Sequence, residues 1–263
     1  ASPVVAIESS AGAVSGVLLA DGRSISAPVV LSNADPYTTR ELVGRGSYDD
    51  ALNTRLDAMR RDGLTMKVNL ALSGLPTFSC LPEAIGQHRG TIHLLPDTPD
   101  VLGAIRLAHA DALAGRLPEF PTLEWYIQTP VDPSMSDTEG RQSAALFVQW
   151  VPHEVEGSSW EAEADRYARH LLSICDRFAP GTSSLVDDML VLHPGAIESR
   201  FGMRYGHIHH LDNIFGFDSR VPYRLPVPGL YACGAGCHPG GAVIGAPGHN
   251  AAMRVLADLG IGR

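Results

Sequence analysis

Residues 234–250, reading GAGCHPGGAVIGAPGHN, combine residue types and spacing that suit the holding of a cofactor. A short apolar run at 230–233 leads into them, and the helix-forming AAMRVLADLG follows, so the order is strand, glycine-rich crossing, helix. Glycines leave little side-chain bulk and adopt positive φ without steric cost, so backbone there can approach a ligand closely. The first N–H groups of the helix lack intrahelical partners and lie at the positive end of its dipole, which favours negative charge. An anionic or electron-accepting cofactor fits such a place. A purely structural strand-to-helix turn fits the same pattern.

The stretch 206–210, GHIHH, invites a metal reading. On a strand, His207 and His209 project to one side, and Cys233, Cys237 or His238 offer further ligands of suitable softness. No second closely spaced ligand pair accompanies them, so solvated or hydrogen-bonded histidines are expected and no metal is assigned. The four cysteines, Cys80, Cys175, Cys233 and Cys237, show no disulfide-framework spacing, which points to a reducing compartment, the cytoplasm or an organelle matrix. Cys175 falls in a helical apolar pattern as a core residue. Cys233 and Cys237 form C-x-x-x-C, not the C-x-x-C of a redox dithiol. G-x-S-x-G and G-x-x-x-x-G-K-[ST] are absent, and Asp187 and Asp188, adjacent on a strand, are expected on opposite faces.

The elements that must position these residues can be read coarsely. Residues 4–7 and 14–19 are β-prone, and Asp21-Gly22 supplies turn chemistry before 23–27. The solid apolar run 29–31 is expected to be a strand buried on both faces, with Asp35 capping a helix that begins near Pro36. Helices are predicted over 37–43, 49–60, 99–117 and 158–178, the last with a serine N-cap and one apolar face. Strands are predicted over 65–72, 91–95, 123–129, 144–152 and 185–192, with a turn at His193-Pro194. Pro222, Pro226 and Pro228 form a stiff approach to the terminal strand.

The segment from Gly229 to Ala252 resembles the C-terminal flavin-binding signature of the FAD-dependent phytoene desaturase-like oxidoreductases. It is most similar to the branch of pyridine nucleotide-disulfide oxidoreductase domain-containing protein 2. The family pattern runs roughly GLYLCGSG, HPGGG, GAPGHNAA; here Ala242 replaces the third glycine of the second block. The N-terminal hairpin and VVLSNADP at 29–36 resemble the return into the flavin domain of that family.

This resemblance implies an α/β (α+β) fold of two domains. Residues 1–36 would be the hairpin and return strand of the FAD/NAD(P)-binding domain, 37–225 a substrate domain of antiparallel sheet plus helices, and 226–263 the closing strand, crossing and helix. It also implies FAD as cofactor, held largely by main chain of Gly234, Ala235, Gly236, His238, Pro239, Gly240, Gly241, Ala242, Val243 and Ile244. The reaction implied is hydride transfer from a small hydrophobic substrate, with peripheral membrane contact among the partners. No general base is named. Family members with this signature also carry a strand, G-x-G-x-x-G and helix, absent between residues 1 and 263, so residue 1 is expected to lie inside a longer protein. The chain alone is then expected to hold little flavin and to self-associate through the surface left open. The alternative is a non-catalytic module binding a hydrophobic ligand or a protein without cofactor.

Composition bounds these readings. The 263 residues carry 44% hydrophobic and 19% charged residues, ordinary for a globular protein. A net charge of −9 argues against a nucleic-acid surface, which needs a basic stripe to neutralise phosphate. No stretch reaches the roughly twenty apolar residues that cross a bilayer.

Overall fold

The computed structural model describes residues 2–241 and 243–261. In chain order the elements are β1 Val4–Ser10, β2 Ala13–Leu19, β3 Ser24–Ser26, β4 Val30–Ser32, α1 Pro36–Val43, α2 Asp50–Ala58, β5 Thr65–Leu72 and β6 Ile92–Leu94. There follow α3 Val101–Leu113, β7 Thr122–Ile127, β8 Gln142–Gln149, α4 Trp160–Phe178, α5 Thr182–Leu185, β9 Val186–Leu192, α6 Pro194–Phe201, β10 Leu230–Ala232 and α7 Ala246–Asp258. The mixed α/β class is as expected. None of the described helices is long and apolar enough to cross a membrane.

Two compact units form, one from residues 62–200 and one from residues 1–61 with 201–263. Residues 37–61 and 201–225 thus belong to the same compact unit as the chain's flanking segments: Tyr37, Leu56, Leu211 and Leu225 share one core with Ile7, Val14 and Leu230.

The unit of residues 62–200 is built on a five-stranded antiparallel sheet ordered β6-β7-β8-β5-β9. Alternation along β5 sends Met66, Val68, Leu70 and Leu72 inward, against Leu123, Trp125, Leu146 and Val148 of the neighbouring strands. The apolar stripe of α4, with Tyr167, Ala168, Leu171, Leu172, Ile174 and Cys175, completes this core. Each fully buried leucine contributes about 1.5–3 kcal/mol relative to exposure.

Three details differ from expectation. Ser159 occupies the N-cap position of α4 without a side-chain capping bond; Glu161 and Glu163 in the first turn meet the helix dipole instead. The chain after β9 does not merely turn: Pro194 is the first residue of α6, whose Ala196 N–H donates to Nδ1 of His193 at 3.2 Å. A bulge also interrupts the β5–β9 pairing, because Leu72 faces Val186 while Ala71 faces Asp188. Asp187 is the extra residue, and both aspartates are exposed to solvent, as adjacent carboxylates ordinarily are.

In the other unit, β1, β2 and β3 form an antiparallel sheet. Gly22 N–H closes the second turn onto Leu19 O at 3.0 Å, as the Asp-Gly pair predicts. Gly16 could carry no side chain, since a Cβ would sit 2.2 Å from Ile25 O. β4 pairs in parallel with β10, Val30 opposite Leu230 and Ser32 opposite Ala232. The expectation that 29–31 is buried on both faces fails for Leu31, which is 43% exposed; among the described residues β10 is the strand that pairs with β4.

Candidate functional site

The parallel strands β4 and β10 end side by side, and the turns that leave them are built against each other. After β4, Asp35 caps α1: its Oδ1 accepts from Tyr37 N at 2.9 Å and Thr38 N at 2.8 Å, and its Oδ2 from the Thr38 hydroxyl at 2.6 Å. Oδ2 also accepts from Arg204 N at 3.2 Å, which brings the segment before the histidines onto the same turn. After β10, Cys233 N donates to Ser32 O at 2.9 Å and the glycine crossing begins.

The glycines of the crossing fall into two groups. A Cβ on Gly234 would lie 2.7 Å from Asn33 O, one on Gly236 2.8 Å from Cγ of Pro36, and one on Gly240 3.0 Å from Cζ of Arg220. These three are glycine because the protein packs on itself there. Gly245 and Gly248 would place a Cβ in open space. Gly245, at φ 69°, opens α7 with no side-chain cap, so the first amides of that helix are unclaimed by a capping group. Val243 and Ile244 before it are exposed, and Ala242 lies outside the described residues.

The middle of the crossing is pinned from outside. Tyr223 donates its hydroxyl hydrogen to His238 O and accepts from Asn250 Nδ2 at 2.9 Å, tying the crossing to α7. The His238-Pro239 peptide is cis. The His238 side chain is exposed and meets Phe217 edge-on, ring centroids 5.6 Å apart. At the far end of α7, Asp258 accepts from the Tyr231 hydroxyl at 2.9 Å and pairs with Arg224, which fixes the helix to β10.

The histidine stretch is not a strand. His210 N bonds back to His207 O at 2.9 Å and Leu211 N to His209 O at 2.7 Å, with His210 at φ 60°. The rings turn toward the crossing: the Cβ position of Gly234 is 3.2 Å from Cε1 of His210, and that of Gly241 is 3.3 Å from Nδ1 of His209. Burial holds all three histidines below the ordinary histidine value, so they favour the neutral form. Nδ1 of His207 and Nδ1 of His210 are buried without a protein partner. Among the described residues no group of three or more His, Cys, Asp or Glu side chains could hold a metal ion. Cys80, Cys175, Cys233 and Cys237 are free thiols, and burial pushes Cys237 up to about 12, far from a reactive thiolate.

Arg220 is the functional candidate that sequence reading missed. It is only 5% exposed, donates from Nη1 to Ala235 O at 2.8 Å and from Nη2 to Asn213 Oδ1 at 2.6 Å, and its buried Nε has no partner. Among the described residues no carboxylate lies within ion-pair distance of it, and burial lowers its pKa. The stretch RVPYRLPVPG holds two arginines, Arg220 and Arg224, and nothing in its pattern marks the first as buried.

A glycine-lined crossing, unclaimed helix amides and a buried cation without a counter-ion can together receive an electron-rich group.

No protein-family model matches the chain. Over 266 residues it is 35% identical to pyridine nucleotide-disulfide oxidoreductase domain-containing protein 2 of Rattus norvegicus, an alignment that takes in 95% of this chain and 45% of that protein. The two are homologues. Phytoene desaturase (lycopene-forming) of a Paracoccus strain is 25% identical over 97% of the chain and 50% of its own length. The chain therefore spans about half the length of the curated relatives it matches. In fold it resembles the crystal structure of an oxidoreductase from Methanosarcina mazei, with a TM-score of 0.60 at 17% identity, across 97% of this chain and 49% of that one. The expected kinship with phytoene desaturase-like oxidoreductases is borne out by the similarity to pyridine nucleotide-disulfide oxidoreductase domain-containing protein 2 and to phytoene desaturase.

Proposed function

We propose that the chain is the C-terminal portion of an FAD-dependent oxidoreductase, carrying its substrate domain and the closing strand, crossing and helix of its flavin domain. The observation that carries this reading is the β10–crossing–α7 unit, with strand ends paired in parallel, a glycine-rich backbone open at Gly245 and Gly248, and an uncapped helix start. The homology to named oxidoreductases supports it.

The residues present fit the cofactor. Main chain of Gly234, Ala235, Gly236, Gly240 and Gly241 would hold it from the side of the backbone away from Asn33, Pro36, Arg220 and His209, which take up the side-chain positions of the four glycines, and His238 and Pro239 would shape the bend. The amides of Val243 and Ile244 and those that open α7 would stabilise negative charge on it. Bound FAD supplies an acceptor for the hydride of a substrate C–H bond. The protein's part is to hold and orient, and to keep nearby groups in a charge state that suits a reduced ring: neutral histidines, protonated thiols and a fixed arginine cation.

Ile214, Phe217, Val243 and Ile244 are each apolar and exposed, which supports a hydrophobic substrate and, in the chain alone, self-association.

Absorbance in the flavin bands of the purified chain, beside that of a longer protein with the upstream sequence, tests the proposal. Stoichiometric flavin in the longer protein and little in the chain is expected. No flavin in either would overturn the cofactor assignment, and stoichiometric flavin in the chain would overturn its incompleteness.

A further inference from the structure

Burying a guanidinium without a carboxylate partner is costly, and proteins that keep such a group normally complete it with a negative charge. Arg220 is in that situation. Its hydrogen bonds go to a main-chain carbonyl, Ala235 O, and to a neutral amide, Asn213 Oδ1. Its Nε is buried and unsatisfied. The guanidinium lies directly under the crossing, since Gly240 has room for hydrogen alone above Cζ.

The groups around it do not neutralise it. His209 lies against Gly241 in the same layer, and burial keeps it uncharged. Cys237 is a protonated thiol. Asp212, the acid whose field reaches Arg220, stays beyond ion-pair distance from it and lies 3.8 Å from Nε2 of His207. The crossing thus rests on a fixed positive charge that is buried without an ion pair, Asp212 acting on it only from a distance, in a poorly solvated setting where charge interactions are stronger than in water.

We propose that Arg220 is a positioning residue that also acts electrostatically. It holds the crossing through Ala235 O and stabilises negative charge on the cofactor seated there, favouring the reduced flavin over the oxidised one. This rests on the FAD reading above. It adds a side chain to a site otherwise made of main chain, and it separates two roles that one residue performs, shape and charge.

The test is the flavin reduction potential, measured by equilibration with a redox dye, in the full-length flavoprotein and its Arg220→Lys and Arg220→Gln variants. Arg220→Gln is expected to retain flavin but to favour its reduction about tenfold less, or about 30 mV for a two-electron couple. Arg220→Lys, which keeps the charge and loses the fork, is expected to stay within about threefold of the wild type. Should Arg220→Gln not fold, Arg220→Met fills the buried volume without charge and takes its place. An unchanged potential in the neutral variant, with flavin bound, overturns this inference and leaves the FAD reading standing. Loss of flavin from both the lysine and the neutral variants also overturns it, because that is the outcome of a merely structural arginine. A wild-type protein without flavin overturns both readings together.

Discussion

Asp35 and Arg204, far apart in the chain, are joined by one carboxylate oxygen: Oδ2 of Asp35 accepts from Arg204 N at 3.2 Å while Oδ1 caps the first turn of α1. The carboxylate is 2% exposed, so water cannot replace the bonds if it is removed. Asp35→Ala is expected to cost about 2–3 kcal/mol in urea unfolding, by loss of a helix cap and of charge-assisted bonds. Asp35→Asn, which keeps one acceptor oxygen, should cost less.

Gly234 and Gly248 make opposite predictions from the same change. Gly234→Ala forces a methyl to within 2.7 Å of Asn33 O and is expected to destabilise by about 1–3 kcal/mol. Gly248 lies in the first turn of α7 with open space before it, so Gly248→Ala should raise stability, by up to about 1 kcal/mol. If the open side of α7 receives FAD, Gly248→Ala should also lower flavin occupancy in the full-length protein. Thermal melts and flavin absorbance read the two effects separately.

Partial burial holds His207, His209 and His210 below the ordinary histidine value of 6.5 in the folded chain. The unfolded chain therefore takes up protons first as pH drops, and stability present above about pH 6.5 is lost below it. Unfolding free energy measured at pH 7.5, 6 and 5 should fall with each step. A His207→Gln, His210→Gln double variant should show a flatter profile.

Asp57 is held down to about 2 from 3.8 by its bonds to Arg45 and then Arg40, the second of which is buried. A lowered carboxylate favours folding above its unfolded value, and the contribution disappears as pH falls from about 4 through about 2. Asp57→Asn should lower the denaturation midpoint at pH 7 relative to wild type. The difference between the two proteins should vanish near pH 2.

Much of this structure was legible from residue patterns, and the reasons are local. The alternation of Met66, Val68, Leu70 and Leu72 specifies β5, and the apolar stripe from Ala164 to Cys175 specifies α4, because period and burial coincide there. Asp35 before Pro36 marks a helix start through a bond that spans three residues. What escaped reading depends on partners distant in sequence. Arg220 bonds to Ala235 O and Asn213, and the segment that leads into the turn of His207 to His210 is held at Arg204 N by Asp35. The glycines of the crossing were legible as a motif, but their division into those facing Asn33, Pro36 and Arg220 and those facing outward was not.

The bulge at Asp187 has a consequence for how this protein behaves in concentrated solution. β9 is an outer strand, a position at which another chain could pair, and its Met189 N already donates to Asp188 Oδ1 at 2.8 Å. By setting two neighbouring carboxylates on the open rim and breaking the ladder between Ala71 and Leu72, the kink makes such intermolecular stacking both repulsive and out of register. Exposed charge and a bulge on an outer strand are features that disfavour edge-to-edge association.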